Sequence, residues 1–121
     1  MKVYVAGPMT GIPEFNFPAF NAAAAKLRAD GHTVFNPAER DIERHGGVDI
    51  SKGNASGSQE DAAKTHGFSL RDALADDTWW ICKEADAIAL LPGWENSKGA
   101  NAELALSKAL GHTIIHLYEQ A

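Results

Sequence analysis

The sequence predicts a small doubly wound α/β domain, flavodoxin- or Rossmann-like, with a parallel sheet and helices on both faces. Short apolar runs alternate with helix-length segments along the chain, and each of the first three apolar runs is closed by a turn pair: Gly7-Pro8, Asn36-Pro37 and Pro92-Gly93. At 121 residues the chain fits one such domain.

Each element has a local reason. Val3-Tyr4-Val5-Ala6 is a first buried strand. Asn16 is positioned as an N-cap, and Pro18 sits just inside a helix that runs to about Asp30. That helix is rich in alanine from Ala22 to Ala25, and Gly31 stops it. Thr33-Val34-Phe35 is a second strand. Residues 38–67 are polar, contain five glycines and carry no sustained period, which marks a lid, a binding loop or disorder. Residues 46–58, with Gly46, Gly47, Gly53 and Gly57, have the composition of a lid and equally of a surface excursion with no role. A second helix spans roughly Ser69 to Glu84. Ala87-Ile88-Ala89-Leu90-Leu91 is the clearest strand, a third helix runs from about Lys98 to Leu110, and Thr113-Ile114-Ile115-His116-Leu117 is the last strand. In a sheet of this kind ligands bind beyond the carboxyl ends of the strands. Three loops should meet there: Gly7–Gly11, the stretch from Pro37, and Pro92–Gly99.

Composition narrows the function. Apolar residues make up 45% and charged residues 22%, the balance of a globular protein. A formal net charge of −5 disfavours a nucleic-acid polymer as partner, since counterion release needs a basic surface. No apolar run is long enough to span a bilayer, and the first 20 residues lack a signal-peptide layout. The single cysteine, Cys82, fits a reducing compartment, so the expected location is cytoplasmic.

Two acids stand where apolar residues are expected. At about 100° per residue, Asp77 falls among Leu70, Leu74 and Ile81, whereas Asp72 and Asp76 point elsewhere. Glu103 falls in the stripe of Ala100, Ser107 and Leu110. An inward carboxylate without a partner costs several kcal/mol. Either acid alone could bond backbone amides or pair with Lys or Arg at the rim. Two of them bracketing one strand suit glycosyl transfer, in which one attacks the anomeric carbon and the other manages a proton or positions the substrate.

Tyr4-Val5-Ala6-Gly7-Pro8-Met9 resembles the opening strand and loop of the nucleoside 2-deoxyribosyltransferase superfamily. Ala85-Asp86-Ala87-Ile88-Ala89-Leu90-Leu91-Pro92-Gly93, followed by Ser97-Lys98-Gly99-Ala100-Asn101-Ala102-Glu103, is similar to its second signature. Leu91-Pro92-Gly93-Trp94-Glu95 is similar to a branch common in bacteriophage genomes. The superfamily includes nucleoside 5′-monophosphate N-glycosidases. The resemblance implies that Glu103 is the nucleophile, that Asp77 contacts sugar or base (with Asp76 as its neighbouring alternative), and that Tyr4, Gly7, Pro8 and Met9 bind substrate. Where classical transferases carry an Asp six residues before the nucleophile, this chain has Ser97, as the monophosphate hydrolases do. A Ser at a helix N-terminus can donate to a phosphate, and Lys98 with the amides of Gly99 and Ala100 would add to that anion site. Against this, Met9-Thr10-Gly11 stands where those hydrolases carry an Arg-Gly-Gly clamp. The implied activity is hydrolysis of the N-glycosidic bond of a nucleoside or its 5′-monophosphate. Deoxyribosyl transfer between bases and a non-catalytic nucleotide-binding module are the alternatives. A homodimer or larger homo-oligomer is implied, a neighbouring subunit helping to close each site.

Cys82, on an apolar helix beside a Trp, reads as a packed side chain. His112 and His116 lie four apart on a strand, which is no zinc pair, so no metal is expected. Two glycines, Gly7 and Gly11, are too few for a dinucleotide fingerprint, so no cofactor is expected. Trp79 and Trp80 diverge around the second helix, and one of them should face outward. Trp94 could stack on a base or cap the core.

Overall fold

The computed structural model describes residues 1–44, 46–47 and 69–117. Four strands, β1 (Lys2–Ala6), β2 (Thr33–Phe35), β3 (Ala87–Leu90) and β4 (Thr113–His116), form one sheet in the order β2-β1-β3-β4. All three pairings are parallel, with Tyr4 opposite Phe35 on one side and Ile88 on the other. The helices are α1 (Phe17–Ala29), α2 (Pro37–Arg44), α3 (Leu70–Lys83) and α4 (Lys98–Ala109), with short 3₁₀ turns at Pro13–Asn16 and Trp94–Asn96.

The period of two along β1 sorts the core into two layers. Val3 and Val5 pack with Phe17, Phe20 and Leu27 of α1 and Ala38 of α2. Tyr4 and Ala6 face the other way, onto Ile81 of α3 and Ala100 and Leu104 of α4. Both central strands are therefore covered on both faces, which is why they read as unbroken apolar runs. The chain leaves β1 toward β2 and later returns to β3 on the opposite side. Their carboxyl ends flank the topological switch point, where open α/β sheets hold ligands.

Helix termini follow their sequence signals in most places. Beyond α1, the amide of Gly31 (φ 94°) bonds the Arg28 carbonyl and that of His32 bonds the Leu27 carbonyl. This left-handed closure is easiest for a residue without Cβ. Ser69 caps α3 through the Asp72 amide at 3.3 Å, and Ser97 caps α4 through the Ala100 amide at 3.1 Å.

Several expectations need correction. The polar stretch after Pro37 opens with a helix, α2: the buried Asn36 accepts from the Ala38 amide at 3.0 Å and Pro37 supplies a preset first turn. Asn16 does not cap α1. Glu14, Phe15 and Asn16 all adopt left-handed backbone (φ 55°, 51° and 60°), and the Asn16 side chain donates through Nδ2 to the Pro8 carbonyl at 3.0 Å. Leu70 and Leu110 are each 46% exposed, because one opens its helix at a cavity rim and the other follows the last turn. The inward stripe of α3 is Ala73, Asp77 and Ile81, and that of α4 is Ala100, Glu103, Leu104 and Ser107. Cys82 is exposed rather than packed, since it follows the inward Ile81 by about 100° around the helix. Past Gly47, the expected lid of 46–58 lies outside the described residues. Among the described residues no helix is long and apolar enough to cross a membrane.

Gly7 joins β1 to the cavity loop with no room for a side chain: a Cβ there would meet Leu91 Cβ at 2.7 Å. Leu91 is held close, its amide bonding the Ala6 carbonyl at 2.8 Å. Gly7→Ala should therefore cost about 1–3 kcal/mol in urea denaturation. An unchanged midpoint would show that the loop yields freely.

Candidate active site

A cavity of about 1010 Å³ opens at the switch point. The three expected loops meet on its wall: Gly7–Thr10, Pro37 with Asp41 of α2, and Pro92–Gly93 with Asn96–Ala100. Tyr4, Gly7, Pro8, Met9, Asp77, Ser97, Lys98, Gly99, Ala100 and Glu103 all line it. Trp94 does not: it packs on the core layer beneath and faces His116 at a ring distance of 6.4 Å, so it caps the core and does not await a base.

Two helices and one strand bring the chemistry together. Asp77 comes from α3, Glu103 from α4 and Tyr4 from β1 between them. The two acids are only 8% and 6% exposed. The Tyr4 hydroxyl donates to Glu103 Oε2 at 2.6 Å, and it also interacts with Asp77. Its ring is held by Phe35, stacked at 5.4 Å, which in turn meets Trp80 at 5.1 Å. One phenol thus stands beside two buried carboxyl groups and is hydrogen-bonded to Glu103.

Burial governs their protonation. Glu103 is pushed up to about 8, chiefly by loss of solvent; the Tyr4 hydrogen bond opposes this and the charge of Asp77 adds to it. Asp77 is pushed up to about 7 by burial and then by the charge of Asp41, with Arg44 pulling the other way. Tyr4 is raised well above the usual phenol range by burial and by both acids, so it stays a neutral donor. Near neutral pH the pair therefore shares protons, the condition for one member to attack while the other transfers a proton.

Several groups here escaped the sequence reading. Asp41 of α2 is a third buried acid, 5% exposed, and lines the same cavity. Arg44, one turn on, pairs with Asp41 and reaches Asp76 Oδ2 at 3.2 Å. Arg40 binds Asp76 through Nε at 2.7 Å, which holds that carboxyl below its usual range. Asp76, half-buried and paired with two arginines, is thus a structural anchor between α2 and α3.

The anion site needs one correction. The Ala100 amide is taken by the Ser97 side chain, so it is not free for a phosphate. The amides of Lys98 and Gly99 lie in the first turn of α4, where no intrahelical acceptor exists. The exposed Lys98 stands beside them on the cavity wall.

Residues 1–116 match a family described as a domain of unknown function, DUF4406. The chain belongs to that family. The match runs through all four strands and takes in every lining residue of the cavity. No curated protein and no solved structure matches the chain.

The raised acids of this DUF4406 chain fix a dependence of stability on pH. Both are raised in the folded state, so their contribution is fully present below about pH 4 and is lost as pH climbs through about 7 and about 8. Within its window each group costs about 1.4 kcal/mol per pH unit. Glu103→Gln and Asp77→Asn should therefore melt above the wild type at pH 9, with the difference closing toward pH 4. A wild type that is the more stable protein at pH 9 would contradict this electrostatic account.

Proposed function

We propose that the protein hydrolyses the N-glycosidic bond of a nucleoside or nucleoside 5′-monophosphate through a glycosyl-enzyme intermediate, acting in the cytosol. The observation that carries this reading is the pair of buried carboxyl groups beside Tyr4, at the strand ends and lining a nucleotide-sized cavity. The resemblance to the nucleoside 2-deoxyribosyltransferase superfamily supports the same assignment of Glu103 and Asp77.

In the singly protonated pair the proton first passes from Glu103, which holds it the more tightly, to Asp77. Ionised Glu103 then attacks the anomeric carbon, forming a C–O bond as the C–N bond breaks. Asp77 gives its proton to the departing base. Water then attacks the same carbon and passes a proton to the Asp77 carboxylate. Free sugar leaves and Glu103 is restored as carboxylate. Tyr4 holds Glu103 in line and withdraws its hydrogen bond as charge leaves the carboxylate.

A second base in place of water turns hydrolysis into deoxyribosyl transfer. Met9-Thr10-Gly11 favours that variant, since it supplies no arginine for a phosphate. Lys98 and the two amides beside it favour a monophosphate substrate. A nucleotide-binding module without catalysis would have no use for a buried nucleophile. Trp79, 56% exposed on the outer side of α3, supports a homodimer or larger assembly; a monomer in light scattering at micromolar concentration would refute that.

Base release from a panel of nucleosides and monophosphates, read by chromatography, tests the reading. Glu103→Gln should abolish release with the fold retained, and Asp77→Asn should lower turnover by roughly 10²-fold. The reaction needs one proton on the pair. Activity should thus fall below about 7, where the pair holds two protons, and above about 8, where it holds none. Wild-type release that survives intact in Glu103→Gln would end the assignment.

The anion site has its own test. Lys98→Ala should raise KM for a monophosphate about tenfold and leave KM for the parent nucleoside unchanged. Equal effects on both would point to the transferase variant.

A further inference from the structure

Asp77 Oδ1 is buried and has no hydrogen-bond partner among the described residues. Arg44 Nη2 lies 3.9 Å from it, too far for a hydrogen bond, while the same nitrogen is 3.2 Å from Asp76 Oδ2. Asp76 does not depend on Arg44, since Arg40 also donates to it through Nε and Nη2 at 2.7 and 3.3 Å. Arg44 Nη1 meanwhile stays on Asp41. A shift of about 1 Å by one guanidinium nitrogen would therefore bring Nη2 to hydrogen-bond length from Asp77 and leave no acid stranded.

We propose that Arg44 is a positioning residue that moves its Nη2 from Asp76 to Asp77 when Asp77 gives up its proton. This rests on the proposed hydrolysis, in which Asp77 becomes an anion. Asp77 faces acids from every side: Asp41 from α2, Asp76 from its own helix and Glu103 from α4, with the neutral Tyr4 from β1. Arg44 is the one cation among the described residues within ion-pair distance of it. Among the described residues a new carboxylate there has no other counter-charge, and an uncompensated buried charge is costly. Arg44 does not line the cavity, although Asp41 and Asp77 do. It therefore acts through the acids and not on the ligand.

The test is a ¹³C NMR titration of the side-chain carboxyl groups of the full chain, with Asp77→Asn to assign the signal. In Arg44→Gln, Asp77 should titrate at least about one pH unit higher than in the wild type. Arg44→Lys, which keeps the charge, should recover at least half of that shift. Arg40→Gln, which touches Asp76 alone, should move Asp77 by less than Arg44→Gln does. A folded Arg44→Gln with an unmoved Asp77 titration overturns the proposal. Should Arg44→Gln fail to fold, Asp76→Asn serves instead: it frees Nη2, and Asp77 should titrate lower, an unmoved value again being fatal. In turnover, Arg44→Gln should lower kcat about tenfold or more with KM within about twofold. If the wild type releases no base from any substrate, the hydrolysis reading fails, and the NMR result still decides the role of Arg44.

Discussion

The arrangement depends on one hydroxyl placed between two buried acids. Tyr4 sits on the strand at the switch point, so its phenol is fixed by the sheet itself and by the ring of Phe35. Asp77 and Glu103 approach from neighbouring helices packed on the same face. Without the phenol, Glu103 would lose its hydrogen-bond partner in a site almost closed to water. The proton-sharing of the two acids follows from that enclosure, and so does the cost they impose on the fold at alkaline pH. A carboxyl pair this expensive stands at the mouth of the sheet, where fixed charges can meet a ligand.

The remainder of the site divides the labour by charge. Three buried acids line the cavity, and Arg44 and Arg40 bind the acids of α2 to those of α3. The N-terminus of α4, Lys98 and the small-residue turn of Ser97, Gly99 and Ala100 line the same cavity. Ser97 spends its oxygen on capping the helix, which keeps the first turn in place and leaves the hydroxyl proton to point elsewhere.

Much of this was legible in the sequence, and the exceptions have physical causes. Strands buried on both faces give unbroken apolar runs, so β1 and β3 stood out. Asp77 and Glu103 stood out because an acid in a helical apolar stripe breaks the period. Asn36-Pro37 was taken as the end of a strand, but the same pair, with Glu39 three residues beyond the Asn, is equally a helix start. That helix was hidden because its exposed face is dense with charge, and Asp41 and Arg44 were hidden with it. No periodicity separates a buried acid with an arginine partner from a solvated one. The left-handed turn at Glu14–Asn16 carries no glycine to announce it, and it made Asn16 look like a cap. Leu70 misled the helical projection because apolar groups also line cavities, not only cores.

The covalent bond proposed between Glu103 and the sugar is open to intact-mass spectrometry. A 2′-fluoro-arabino nucleoside monophosphate slows both steps by destabilising the positive sugar carbon, and the second step can then be outrun. Quenched early in turnover, the protein should gain the mass of one fluorinated sugar phosphate, and proteolysis should map that gain to Glu103. Released base with no adduct, or an adduct on another side chain, would contradict the account.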